Sequence, residues 1–115
     1  AGHPVFLISE LAEHTKNLAA CANASLLVVE SGSTSIVTAP RVTLVGTCSL
    51  VEPSEHDAVR AHYVAAHPES ATWFTDYLHS YSLYRLEPNE MRVIVGFGRL
   101  SWVSRADYEA LSIED

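Results

Sequence analysis

The sequence is poor in basic residues. It has 7 lysines and arginines against 14 aspartates and glutamates, which gives a formal net charge of −7 at pH 7. No local cluster of basic side chains offsets that charge, and an acidic surface repels the phosphate backbone of nucleic acids. Long apolar runs are missing too, because no run approaches the roughly 18 to 20 residues that span a bilayer. The sequence therefore predicts a protein that binds neither nucleic acid nor a membrane.

Cysteine is scarce, and the two present, Cys21 and Cys48, form no Cys-x-x-Cys motif. No stretch combines the basic start and apolar centre of a signal peptide. Both observations are typical of a reducing compartment and predict a cytoplasmic protein. The chain opens with Ala-Gly-His-Pro instead of methionine and enters a strand at once, so upstream residues are expected in the natural protein.

Signatures of common catalytic and metal sites are also absent. There is no P-loop, GxGxxG, GxSxG or HExxH motif, so no catalytic residue is identified. Six histidines are present, but His56, His62 and His67 are spaced by six and five residues and do not share one face of a helix. No metal site is predicted.

What the sequence does contain is enough apolar material for a core. Hydrophobic residues make up 48% of the 115 residues, which predicts one domain over residues 1–115. Runs of apolar and β-branched residues predict strands, and helical spacing with capping signals predicts helices. The predicted strands cover residues 5–8, 24–30, 41–52, 81–87 and 91–103. The predicted helices cover residues 10–22, 54–67, 70–80 and 104–112, with Ser54 as the N-cap of the second.

The order of these elements predicts the fold class. Pro88-Asn89-Glu90 separates the last two strands and predicts a hairpin turn. Helices do not follow every strand, so a doubly wound parallel sheet fits poorly and an antiparallel, barrel-like α+β domain is predicted. A closed barrel has no unpaired edge, and an interior glycine such as Gly46 suits its bends.

The stretch SELAEHTKN, residues 9–17, joins the first predicted strand to the first predicted helix. A helix start offers unpaired backbone N–H groups and the positive end of the helix dipole, which suit a phosphate. His14 and Thr15 lie about one turn beyond the cap, so an ordinary solvated helix start is the alternative interpretation. Arg41, at the head of an apolar strand, is either a surface arginine or a group that reaches a ligand at the end of the domain.

Four segments of the chain, in order, are LISELAEHTKNLAACANASLLVV, PRVTLVGTCSLVEP, VRAHYVAAHPES and YSLYRLEPNEMRVIVGFGRLSWV. Together they resemble the pyridoxamine 5′-phosphate oxidase-like FMN-binding split barrels, and within these the HugZ-type haem-utilisation and CREG-like proteins. The resemblance implies an α+β, mainly β, fold: an antiparallel split β-barrel with short flanking helices. It further implies a homodimer with FMN at the subunit interface, and first family strands that precede this chain.

The same resemblance implies cofactor contacts. His14 falls where the family pattern has a phosphate-binding lysine, so Ser9, His14, Thr15 and Asn17 are expected to hold the flavin phosphate. Arg41 falls near a glutamine that reaches the flavin ring and is expected to hydrogen-bond to it. No histidine can be assigned by motif as a haem ligand.

Three functions are consistent with these observations. The first is an FMN-binding protein, and with it a flavin-dependent oxidoreductase of unknown substrate. The second is a haem-binding or haem-degrading protein of the HugZ type on the same scaffold. The third is a cofactor-free, CREG-like dimeric interaction module.

Overall fold

The computed structural model describes residues 3–30, 40–76, 80–96 and 99–110. Its strands are β1 (Val5–Ser9), β2 (Asn23–Val29), β3 (Arg41–Leu50), β4 (Tyr81–Gly96) and β5 (Arg99–Ser104). Its helices are α1 (Glu13–Ala20), α2 (His56–Ala66), a 3₁₀ helix (Pro68–Thr75) and α3 (Arg105–Glu109). The strands form a sheet of order β1-β4-β3-β2, and β5 pairs with β4. The fold is mainly antiparallel β with short helices, as predicted.

None of the helices in the described ranges is both long enough and apolar enough to cross a membrane.

The predicted hairpin turn at Pro88-Asn89-Glu90 is wrong, because β4 runs through it as one strand of 16 residues. Proline cannot donate to a β-ladder, so it must lie where no donor is required. The ladder to β1 ends at Arg85, and the ladder to β5 begins at Glu90, so Pro88 falls between the two. Since β5 pairs antiparallel with β4, the chain reverses direction between Gly96 and Arg99.

Two predicted helix starts are also wrong. The first helix begins at Glu13 instead of residue 10, with Ala12 as its N-cap. The second begins at His56, and its N-cap is Glu55, not Ser54. Residues 52–55 instead form a turn in which the Glu55 amide donates to the Glu52 carbonyl at 2.9 Å.

One predicted helix end agrees with the structure. The second predicted helix ends at residue 67, directly before Pro68, and α2 ends at Ala66. The predicted helix over 70–80 is a 3₁₀ helix over Pro68–Thr75, and residues 77–79 lie outside the described residues. In α3 the Ser104 side chain caps the helix by accepting a hydrogen bond from the Asp107 amide at 3.2 Å. Residues 111–112 of that prediction also lie outside the described residues.

The chain divides into two compact units. The first, called here the β2–β5 unit, holds His3 and the described residues of 23–47 and 87–110. In it β2 pairs with β3 from Asn23 opposite Thr47 to Val29 opposite Arg41. Strand β4 pairs with β5 from Glu90 opposite Ser104 to Gly96 opposite Arg99, with an irregularity between Ile94 and Gly96. The buried apolar residues of this unit include Leu44, Pro88 and Met91.

The second, the β1–α2 unit, holds the described residues of 4–22 and 48–86. Its ladder joins β1 to β4, from Val5 opposite Arg85 to Ser9 opposite Tyr81. Cys48, Val51, Leu83 and Leu86 form its buried apolar core.

The ring of Phe74 joins the 3₁₀ helix to α2. It makes edge contacts with His56 and Tyr63, and the Arg60 guanidinium lies 4.8 Å from its centroid. Such a cation–π contact is favourable because the face of an aromatic ring carries partial negative charge.

Candidate functional site

Ser9 ends β1, and its polar atoms organise the turn that leads into α1. The side-chain Oγ accepts a hydrogen bond from the Leu11 amide at 3.2 Å. The Ser9 carbonyl accepts one from the Ala12 amide at 3.1 Å. These two bonds hold residues 10–12 in a turn, which is the physical reason that α1 starts later than predicted.

Thr15 is the buried residue of α1. Its Oγ1 donates to the Ser9 carbonyl at 2.5 Å. A hydroxyl has a single proton, so this bond leaves Thr15 only lone pairs to offer to a ligand. The geometry therefore makes Thr15 a brace between α1 and the end of β1, while its expected contact with a flavin phosphate stays a prediction.

His14 and Asn17 lie on α1 with their side chains exposed, and exposed Lys16 stands between them in sequence. An imidazole, an ammonium and an amide in these positions can supply hydrogen bonds and positive charge to an anion. The structure thus brings Ser9, His14, Thr15 and Asn17 to one end of the β1–α2 unit. Their role as phosphate ligands stays a prediction.

Arg41 lies in the other unit. It is the first residue of β3, pairs opposite Val29, and is half-buried. Its expected contact with a flavin ring also stays a prediction.

The β1–α2 unit contains an open cleft of about 390 Å³ at the start of α2. The buried side chains of Val51 and Leu83 form an apolar part of the cleft lining. Tyr81 and Ser82 add side chains with hydroxyl groups to this lining. The Ser82 hydroxyl donates a hydrogen bond to the Glu10 carboxylate at 3.2 Å. The Tyr81 ring stacks against Trp73, with ring centroids 6.1 Å apart.

A second cleft, of about 580 Å³, lies in the β2–β5 unit. Residues of three strands line it: Asn23, Ala24, Ser25, Val45, Gly46, Asn89 and Glu90. The strands of this unit also expose apolar residues that the sequence did not single out. Leu27 is 48% exposed, Val45 39%, Leu100 51% and Trp102 61%. The alternation of apolar and polar residues in Leu100-Ser101-Trp102 is the signal that could have identified this side of β5.

Three titratable groups meet where His3 approaches α3. Arg105 Nε donates to Glu109 Oε1 at 2.6 Å, and this hydrogen bond is the main cause that raises the pKa of Arg105 and lowers the pKa of Glu109. His3 Nε2 lies 3.8 Å from Glu109 Oε2 and has no hydrogen-bond partner among the described residues. In the other unit, burial raises the pKa of the Cys48 thiol.

Within the described ranges, no three side chains of histidine, cysteine, aspartate or glutamate come together in a way that could hold a metal ion.

Comparison with known families decides the class of the protein. Residues 1–110 match the family model described as CREG, beta-barrel. The chain belongs to this CREG beta-barrel family. The CREG-like part of the resemblance is thereby confirmed, whereas its FMN oxidase part is not.

Named relatives of this CREG beta-barrel chain include haem proteins. The chloroplastic heme oxygenase HOZ of Arabidopsis thaliana is 34% identical over 98% of the chain, which spans 35% of that protein. A heme binding protein from Mycobacterium smegmatis is 32% identical, with a TM-score of 0.81 over 95% of this chain and 45% of that one. Campylobacter jejuni ChuZ, 20% identical over 90% of this chain and 44% of that one with a TM-score of 0.73, supports the fold alone. The chain therefore spans less than half the length of each of these three relatives.

Proposed function

We propose that this chain binds haem. The observation that carries the proposal is its likeness to the heme oxygenase HOZ and to the Mycobacterium smegmatis heme binding protein, at 34% and 32% identity over nearly the whole chain. The chain spans only 35% of the first and 45% of the second. The proposal is therefore binding, and it does not extend to haem degradation.

Several side chains of this chain suit haem. A haem iron takes a histidine nitrogen as an axial ligand in many proteins. His14, His62 and His67 are exposed and His56 is half-buried. When bound, haem would supply redox and ligand-binding chemistry at its iron, while the chain would orient and shield it.

A haemin titration tests the proposal. We expect the purified protein to give a Soret band that is shifted and sharpened relative to haemin in buffer alone. Six single variants, each replacing one of the six histidines with glutamine, show whether a histidine ligates the haem iron, because loss of that ligand would shift the band. A spectrum identical to that of haemin in buffer would contradict the proposal.

FMN binding is the second candidate, and the specific observation in its favour is the exposed His14 with Lys16 and Asn17 at the start of α1. Flavin-dependent oxidoreductase activity would depend on that binding. Titration of FMN with the protein, followed by flavin fluorescence, tests it. We expect His14→Gln to weaken binding if the phosphate lies there, and unchanged flavin fluorescence with the unaltered protein would exclude this candidate.

We also propose a homodimer with the cofactor at the subunit interface, on the basis of the resemblance to the split-barrel proteins. Light scattering at a micromolar protein concentration, with and without haemin, measures the molar mass in solution and so tests the proposed dimer. A monomer under both conditions would contradict it.

A further inference from the structure

In the β2–β5 unit, the two sides of β3 and of β4 differ in burial around Leu44 and Met91. Leu44 of β3 and Met91 of β4 are buried. Side chains alternate along a strand, so the neighbours of these residues in sequence point to the opposite side. Val45 and Arg92 are exposed, as this alternation requires.

Strand register shows which residues share the exposed side. Directly opposite residues in a ladder lie on the same side, and Val45 pairs with Ser25, while Arg92 pairs with Trp102. We call the side of the β4–β5 ladder that carries Arg92 and Trp102 the Trp102 face. Its apolar members are Ile94, Leu100 and Trp102.

The apolar part of the Trp102 face is unusually open. Trp102 is 61% exposed and Leu100 is 51% exposed, and they stand two residues apart on the same side of β5. Across the ladder, Ile94 lies opposite Leu100. Single exposed apolar residues are common, whereas a contiguous set on a flat sheet marks a binding surface. An exposed indole beside two aliphatic side chains suits a flat, apolar ring system.

The charged side chains on the Trp102 face indicate which class of ligand this face would bind. Arg92 is exposed and lies opposite Trp102. It is one of the 7 basic residues of an acidic chain. Glu90 contributes a negative charge near the cleft end. A ligand with an apolar body and carboxylates would place them at Arg92, away from Glu90.

We propose that the Trp102 face binds the ring plane of a tetrapyrrole, with the Trp102 indole against the ring and the Arg92 guanidinium paired with a propionate carboxylate. This inference rests on the proposed haem binding and assigns it to particular residues. Among the described histidines, only His3 belongs to the β2–β5 unit, and it lies against Glu109 instead of on this face. The face therefore recognises the ring and its carboxylates independently of the iron. Iron-free protoporphyrin IX binds it as well.

Titration of the full chain with protoporphyrin IX, followed by porphyrin fluorescence and by quenching of tryptophan fluorescence, tests the inference. Trp102→Ala should weaken binding about tenfold or more, on the scale of aromatic stacking on a flat base. Trp102→Phe should retain most of the affinity. Trp73→Ala is the matched control, because Trp73 is the other tryptophan, is 40% exposed and lies in the β1–α2 unit. Circular dichroism establishes that each variant is folded.

A second pair of ligands isolates the role of Arg92. Arg92→Gln should weaken binding of protoporphyrin IX about three- to tenfold, on the scale of a partly exposed charge pair. It should leave binding of the dimethyl ester unchanged, because the ester has no carboxylate charge to pair. Arg60→Gln is the matched control, since Arg60 lies over Phe74 in the other unit.

The outcomes separate the two proposals. If the unaltered chain binds neither haemin nor protoporphyrin IX, the proposed function fails. If it binds both, but Trp102→Ala and Arg92→Gln match their controls, the proposed function stands and the assignment to the Trp102 face is overturned. If these variants change the oligomeric state and leave porphyrin affinity unchanged, the face is a subunit contact, and the assignment is again overturned.

Discussion

The carbonyl of Glu87 in β4 lies against the α-carbon of Gly46 in β3. A Cβ atom placed on Gly46 would fall 2.0 Å from that carbonyl oxygen and 2.9 Å from the Pro88 Cα. Non-bonded heavy atoms normally stay about 3.5 Å or more apart. Both neighbours are backbone atoms, so neither can move aside as a flexible side chain would. Only glycine therefore allows the two strands to approach this closely.

Gly46→Ala should consequently destabilise the protein. We expect a loss of about 1–3 kcal/mol or more in the free energy of unfolding, because the strands must separate to admit the methyl group. Denaturant unfolding measures it. Val45→Ala is the control: Val45 is the exposed neighbour of Gly46, and its truncation should cost less than about 1 kcal/mol. Equal stabilities for Gly46→Ala and the unaltered protein would contradict the close approach.

Thr15→Val should destabilise the β1–α2 unit through a different cause. It keeps the side-chain shape and removes the hydrogen bond to the Ser9 carbonyl, which we expect to cost about 1 kcal/mol. Thr15→Ser, which retains the hydroxyl, should cost less. Thermal and denaturant unfolding compare the three proteins. A Thr15→Val variant of normal stability that loses affinity for FMN would show the hydroxyl to be a ligand instead of a brace.

The two cysteines should differ sharply in reactivity toward a thiol reagent. Cys21 is exposed, whereas Cys48 is buried, and this burial raises the pKa of the Cys48 thiol. The thiolate is the reactive form. Burial therefore protects Cys48 in two ways, because it limits access of the reagent and reduces the fraction of thiolate. A disulfide-exchange reagent should modify one thiol rapidly and the second only on unfolding. Cys21→Ser should abolish the rapid phase, and a rapid phase that survives this substitution would contradict the burial of Cys48.

The loss of stability on acidification should depend in part on Glu109. Its pKa is lowered chiefly by the hydrogen bond from Arg105, so the folded state favours the carboxylate. A lowered pKa contributes stability above the ordinary glutamate value of about 4.3, and this contribution is lost as the pH falls through the folded-state pKa.

The melting temperature of Glu109→Gln, measured from neutral to acidic pH, checks this dependence. The difference from the unaltered protein should be largest near neutral pH and should vanish in acid. Glu30→Gln, at an exposed end of β2, is the control. A difference that persists unchanged in acid would show that the ionisation of Glu109 is not its cause.

Much of the β-structure could be predicted because strand-forming residues are concentrated where the strands lie. The predicted strand over 24–30 is observed as Asn23–Val29, and the one over 41–52 as Arg41–Leu50. Pro88 was misleading for a physical reason. A proline among turn-forming residues favours a local reversal, but in the folded protein Pro88 lies within β4, between the residues that pair with β1 and those that pair with β5.

Less of the candidate sites could be predicted from the sequence. Ser9 and Thr15 are two of the four residues that the family resemblance implies as phosphate ligands, but their hydrogen bond depends on where the helix starts, which the turn at residues 10–12 decides. The sequence around Trp102 does not distinguish a buried side of β5 from an exposed one. Only the register with Arg92 and the burial of Met91 reveal that it stands on an exposed surface.

The pairing of β1 with β4 has a consequence for how the chain folds. Val5 pairs with Arg85, and these two residues are 80 positions apart. Closing so long a loop costs entropy before any contact compensates for it, and topologies of high contact order fold slowly. We expect β1 to dock late, after the more local pairing of β4 with β5. A ribosome-bound nascent chain would hold β1 without its partner until β4 has emerged.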